Sequence, residues 1–191
     1  MLIRPATLSD LGACLDVSAN SQTDYVWQME ARDDLDTISV RFHPVRLPRV
    51  MYVTYPRPRD DLLSCWEQGS TILVATDEVD AATIEEDEGE EAPPSHVLSY
   101  CQLDSHLWQG VGWISHLIVD RRLRRHGIGT AMLRASIAWG REQKLERLMV
   151  AVQTKNYPGI RFCQKHGFSF CGFNDQYFAN RDIALFFALK L

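Results

Sequence analysis

The chain has 191 residues, 46% of them hydrophobic, and a formal net charge of −5. That length and composition suit one substantial core and a single α/β domain over residues 1–191. No apolar run approaches the roughly 20 residues that cross a bilayer, and Met1 to Asp10 lacks the apolar stretch of a secretory signal, so neither a membrane nor export is expected and the cytoplasm is the expected compartment. Five widely spaced cysteines without a C-x-x-C point to reduced thiols, with neither a zinc site nor a disulfide framework.

In chain order, Leu2 to Thr7 reads as a short strand. Ser9-Asp10 then caps an apolar-periodic helix through Leu11, Cys14, Leu15 and Val17. From Gln22 to Arg59 the signal is weaker: Tyr25, Trp27 and Met29 alternate, as do Ile38, Val40 and Phe42, while Pro44, Pro48, Pro56 and Pro58 exclude a long helix. This stretch does not resolve into elements. Asp60 to Glu67 suits a short helix. Thr71 to Ala75 and Val97 to Cys101 read as two strands pairing as a hairpin, and their connection holds nine acidic residues and no basic one between Asp77 and Glu91. Removing that −9 from −5 leaves +4 on the remainder, and 77–95 is expected to be a solvated, flexible loop.

The second half is clearer. Val111 to Val119 is apolar at nearly every position, as in a strand covered on both faces, and Asp120 to Arg125 is a charged turn. Gly127 to Arg141 puts Ile128, Ala131, Met132, Ala135, Ala138 and Trp139 on one helical face. Leu148 to Val152 is a buried strand, Asn156 to His166 a shorter helix ended by Gly167, and Phe168–Phe173 and Ile183–Leu189 are closing strands. The cluster Arg121, Arg122, Arg124 and Arg125 lacks interleaved aromatics, which argues against a nucleic-acid partner.

A phosphate is the ligand that this cluster suits. In Arg124-Arg125-His126-Gly127-Ile128-Gly129-Thr130 two glycines open the backbone at a helix start, where N–H groups and arginine charge converge on an anion. A dinucleotide fingerprint would need glycine at Met132, and a P-loop would need Gly-Lys-Ser/Thr; neither is present. The R-x-x-G-x-G that remains resembles the acyl-CoA pyrophosphate motif of the GNAT N-acetyltransferases. A second GNAT signature follows at the expected distance: Asn156, then Gly159, Phe162, Cys163, Gly167 and Phe168 at offsets three, six, seven, eleven and twelve. Within the family, Asp104 to Trp108, Gln153 to Asn156, and Trp139-Gly140 resemble the streptothricin acetyltransferase branch most.

The resemblance implies a mixed, strongly curved central sheet flanked by helices and splayed between the strands ending at Val119 and Val152. It implies acetyl-CoA as co-substrate and no metal. The pantetheine amides would pair with the backbone of Leu117, Ile118 and Val119 and reach the amide of Asn156; the pyrophosphate would lie on Arg124, Arg125, His126, Gly127, Ile128, Gly129 and Thr130; and the acetyl group would lie near Cys163. Two family features are missing. Ala151 stands where many relatives have a glutamate base, and Cys163 where many have a tyrosine acid. Cys163 is then a candidate acid, weighed against a small buried residue on the inner helix face, with a covalent acetyl-cysteine as a further route; His116 is a candidate base, weighed against a satisfied core or surface histidine and against water alone, with Ser115 facing the other side of the strand by alternation. Tyr157 and Tyr177 are further polar candidates. Trp27, Trp108 and Tyr177 are aromatic candidates for an acceptor cation, weighed against core packing. The expected reaction is acetyl transfer to a primary amine of a small molecule, by direct attack in a ternary complex. An acyl-CoA-binding sensor without turnover and an enzyme acting on protein amines stay open, as does a homodimer.

Overall fold

A computed structural model describes residues 1–77 and 96–191; of the expected acidic loop, 77–95, all but Asp77 lies outside them. Nine strands and four α-helices are described: β1 (Leu2–Pro5), α1 (Leu8–Asp16), β2 (Ser21–Asp34), β3 (Thr37–Val53), α2 (Leu62–Glu67), β4 (Thr71–Thr76), β5 (Val97–His106), β6 (Val111–Val119), α3 (Ile128–Glu142), β7 (Arg147–Gln153), α4 (Tyr157–Lys165), β8 (Ser169–Asn174) and β9 (Ala184–Lys190). The mixed α/β class matches the expectation. The chain divides into two compact units, one of residues 1–19, 58–149 and 191, the other of residues 20–57 and 150–190.

In the first unit β4 pairs antiparallel with β1 and with β5, and β5 with β6. The start of β7 lies beside the start of β6, since the Gly110 carbonyl accepts from the amides of Glu146 and Arg147. The anticipated β4–β5 pair therefore forms, with β5 running five residues past Cys101. Its core gathers Leu62, Val74, Leu103, Val111, Met132, Leu133 and Leu148. Helix α3 lies against β4, β5 and β6 because Met132, Leu133 and Ser136 recur on one face and are buried. Helix α1 is capped at Thr7, two residues earlier than Ser9. Asp10 reaches back to the Thr7 amide at 2.8 Å and also takes Arg4 in a two-pronged pair at 2.6 and 2.9 Å. A carboxylate at the third helical position can satisfy a cap amide and a guanidinium together, and Ser9 cannot.

In the second unit the stretch that resisted the sequence reading is a long antiparallel hairpin, β2 with β3, turning at Leu35-Asp36. Tyr25, Trp27 and Met29 share one face with Arg46, Pro44 and Phe42, so the alternation visible in the sequence is strand alternation. Pro44 and Pro48 are tolerated because each strand of a two-stranded ribbon has one hydrogen-bonded neighbour, which leaves one edge without need of an N–H. Phe42 packs against Phe173 and Phe170, with ring centroids 5.2 and 5.9 Å apart. Strand β9 follows the end of β7 in the sheet order and pairs antiparallel with β8. Gly167 closes α4 at φ 84°, the left-handed turn expected of it.

Candidate active site

In the first unit, β6 delivers the chain into the turn before α3. Leu117 and Val119 are half-buried and Ile118 is buried. After Val119, Arg124 folds back. Its Nε donates to the Val119 carbonyl at 3.0 Å and its terminal nitrogen to the Ser18 carbonyl at 3.0 Å, which braces the turn against the end of α1. Burial, which outweighs the attraction of Asp120, lowers its pKa from the usual guanidinium value. Arg125 and His126 are exposed instead, and Arg125 adopts φ 73°, a left-handed conformation a non-glycine residue enters at a cost. Gly127 caps α3 at φ 87° with no atom within 4 Å of where a Cβ would stand. Behind it Ile128 is buried, and the helix start brings N-terminal amides and partial positive charge to the turn. An exposed arginine, an open glycine and a helix start suit a diphosphate.

In the second unit, Asn156 caps α4 by accepting from the Gly159 amide at 3.0 Å. A Cβ on Gly159 would stand 2.7 Å from the Asn156 amide nitrogen, so the cap and the small residue three positions on require each other. Cys163 is buried, 5% exposed, and burial pushes its thiol up to about 12. Tyr157 stacks on Tyr25 at 5.0 Å. Tyr177 packs edge-on to Phe178 and Phe186, with the Arg57 guanidinium 5.7 Å from its ring. Trp27 is half-buried, with its indole N–H lacking a partner among the described residues. Trp108, in the first unit, is 84% exposed at the β5–β6 connection, so it is not core packing.

One sequence expectation is corrected. Ser115 does not face away from His116. The β5–β6 register shifts by one residue, pairing Gln102 with His116 and Leu103 with Ile114, so Ser115 is a β-bulge. Its hydroxyl donates to Asp104 at 2.5 Å, and Asp104 lies two residues beyond Gln102 on the face that bears His116. A bulge breaks the two-residue period on which the alternation argument rested. His116 itself is buried, its ring 6.0 Å from that of Tyr100. Asp104 also accepts from Ser70 at 2.5 Å and, more weakly, from the Gln102 amide at 3.3 Å. Gln102 and Ser70 escaped the sequence reading, and Asp104 entered it only through the family resemblance, because it ended the strand at Cys101; the period Tyr100, Gln102, Asp104 was the available signal. Among the described residues no group of three metal-ligating side chains occurs, and no helix is long and apolar enough to cross a membrane.

Residues 34–168 match the model of the acetyltransferase (GNAT) family. Streptothricin acetyltransferase A of Bacillus subtilis (strain 168) is 30% identical over 87 residues, 44% of this chain and 50% of that protein. The matched stretch thus spans about half the length of this curated relative. Among solved structures, a nourseothricin acetyltransferase superposes with a TM-score of 0.78 at 17% identity, covering 99% of this chain and 97% of that one. A candidate streptothricin acetyltransferase of Bacillus anthracis, in complex with acetyl coenzyme A, superposes with 0.68 at 15% identity, covering 100% and 97%. At these identities the structures speak to the fold.

Proposed function

The chain belongs to the GNAT acetyltransferase family, and from that premise we propose that it moves an acetyl group from acetyl-CoA to a primary amine of a small molecule, the whole of 1–191 acting as one acetyltransferase domain. The observation that carries this reading is the turn after β6. Arg125 and Gly127 both adopt left-handed backbone at the start of α3, and Arg124 is spent on bracing the loop. A turn that holds a costly conformation and exposes helix-start amides suits a diphosphate better than it suits packing. The reading gives Arg125, His126 and the amides of Gly127 to Thr130 to the diphosphate, the backbone of Leu117 to Val119 to the pantetheine arm, and the Asn156 side chain to the same arm. The streptothricin acetyltransferase match supports an amine acceptor.

Chemically, the neutral amine nitrogen attacks the thioester carbonyl, the carbon–sulfur bond breaks, and the CoA thiolate takes up a proton. The amine must first lose its own proton, for which the reading keeps His116 as acceptor. Cys163 keeps its proton at neutral pH because burial holds it at about 12. A thiol held that high gives up its proton poorly, so the reading leaves Cys163 at most a weak hydrogen-bond donor, and the covalent acetyl-cysteine route is disfavoured, since only the thiolate is nucleophilic. Mass spectrometry of protein exposed to acetyl-CoA is expected to find Cys163 without an added acetyl group.

The decisive experiment is calorimetry with acetyl-CoA, followed by thiol release with an amine panel that includes streptothricin. Binding with turnover supports the reading, and absence of binding overturns it. Tight binding without turnover supports the second reading, an acyl-CoA sensor, which Ala151 and the buried Cys163 thiol favour.

A further inference from the structure

Resting on the acetyl-transfer reading, we propose that Asp104 and Gln102 form the subsite for the acceptor's ammonium group and so select a cationic amine. Direction along β6 supplies the first argument. The diphosphate turn follows Val119, so a pantetheine arm paired with Val119 to Leu117 points its thioester back toward Ser115 and His116. Ser115 lies about 7 Å along the strand from Leu117 at the usual rise per residue. The nucleophile must therefore wait at the bulge, on the face carrying Ser115, His116, Gln102 and Asp104.

That face is furnished for a cation. Asp104 is half-buried, so a ligand can reach it, and its two oxygens are held by Ser70 and Ser115, each at 2.5 Å. A carboxylate offers about four acceptor positions. Two short hydroxyl bonds and one amide nitrogen shared between both oxygens, at the long distances of 3.4 and 3.3 Å, leave a stronger donor room to displace the amide. The independent observation is Gln102 itself. It is 5% exposed, its amide nitrogen is turned to Asp104, and its amide oxygen is buried with no hydrogen-bond partner among the described residues. A buried acceptor without a donor costs free energy that a ligand N–H would recover. An ammonium has three donors and one positive charge. It satisfies the Gln102 oxygen and neutralises Asp104 together, whereas a hydroxyl acceptor does at most the first. Cys65 is the neighbouring thiol: burial first, then Asp61, raises its pKa against the lowering effect of a side-chain hydrogen bond from Gln102, so it adds no negative charge to the subsite at neutral pH.

The test separates charge recognition from scaffolding. With streptothricin as acceptor, Asp104→Asn is expected to raise KM about 10- to 100-fold, the range for a lost charge-assisted hydrogen bond. Kd for acetyl-CoA stays within about twofold and kcat falls less than KM rises. Asp104→Glu restores most of the loss, because the charge returns. Gln102→Met, which keeps size and leaves the carboxylate, raises KM about 3- to 10-fold by the loss of one acceptor. Unchanged KM in either Asp104→Asn or Gln102→Met overturns the proposal. So does an equal loss in Asp104→Asn and Asp104→Glu accompanied by weaker acetyl-CoA binding, the mark of a purely structural network. If the unsubstituted protein turns over no amine, the functional reading fails and this subsite with it; turnover with indifferent variants sinks the subsite alone.

Discussion

Arg125 shows how one residue can carry two separable free energies. Its side chain is exposed beside the start of α3, and its backbone sits at φ 73°. Arg125→Glu is expected to weaken acetyl-CoA binding about 10- to 100-fold by calorimetry, with little change in melting temperature, because the charge meets solvent and not core. Gly127→Ala reads the backbone instead. No atom lies within 4 Å of the new Cβ, so the cost is conformational, about 1 kcal/mol in denaturant unfolding, from φ 87° alone. Gly159→Ala differs from both, since its Cβ would press to 2.7 Å from the Asn156 amide. That displaces the cap and costs about 1–2 kcal/mol, and Asn156→Ala is expected to lose about 1 kcal/mol by the same measurement. These residues were legible because their chemistry is local: glycine for positive φ, asparagine for a cap, arginine for an anion. The side of the strand that Ser115 faces and its bond to Asp104 were not, because a bulge is set by pairing with another strand and leaves no residue type behind as a marker.

At the scale of elements, helices and buried strands announced themselves through period, and β4 to β9 lie within a few residues of where the apolar pattern put them, β5 excepted. The hairpin β2–β3 did not. Four prolines and weak apolarity hid two strands of 14 and 17 residues, since its ribbon needs apolar residues on one face only and tolerates proline. What fixes it locally is aromatic packing, Phe42 on Phe170 and Phe173 and Tyr25 on Tyr157, together with the Trp27 amide donating to the Thr154 carbonyl at 2.9 Å. Phe42→Ala is therefore expected to lower stability by about 1–3 kcal/mol and to raise hydrogen exchange first along Ala31 to Val40. Uniform exchange across the hairpin and α3 would show that this contact does not anchor the ribbon.

For the whole molecule, proton linkage gives the broadest prediction. Burial pushes the thiols of Cys14, Cys101 and Cys163 from 9.0 up to about 12, and the Tyr100 phenol from 10.0 up to about 12. The folded chain keeps protons that the unfolded chain releases first. These groups thus contribute their full stability below about pH 9 and lose it as pH climbs toward 12. A stability series from pH 8 to 11 is expected to fall across that interval, and a thiol reagent at pH 8 to label exposed Cys171 quickly while Cys14, Cys101 and Cys163 resist it until unfolding. The second unit draws its chain from residues 20–57 and 150–190, and β7 runs from the first unit into it. A ribosome making this protein has therefore emitted the β2–β3 ribbon long before β8 and β9 exist, and its aromatic side must wait, unsheltered, while 92 residues (58–149) of the first unit pass. Those nascent strands are the stretch for which a chaperone has most to do.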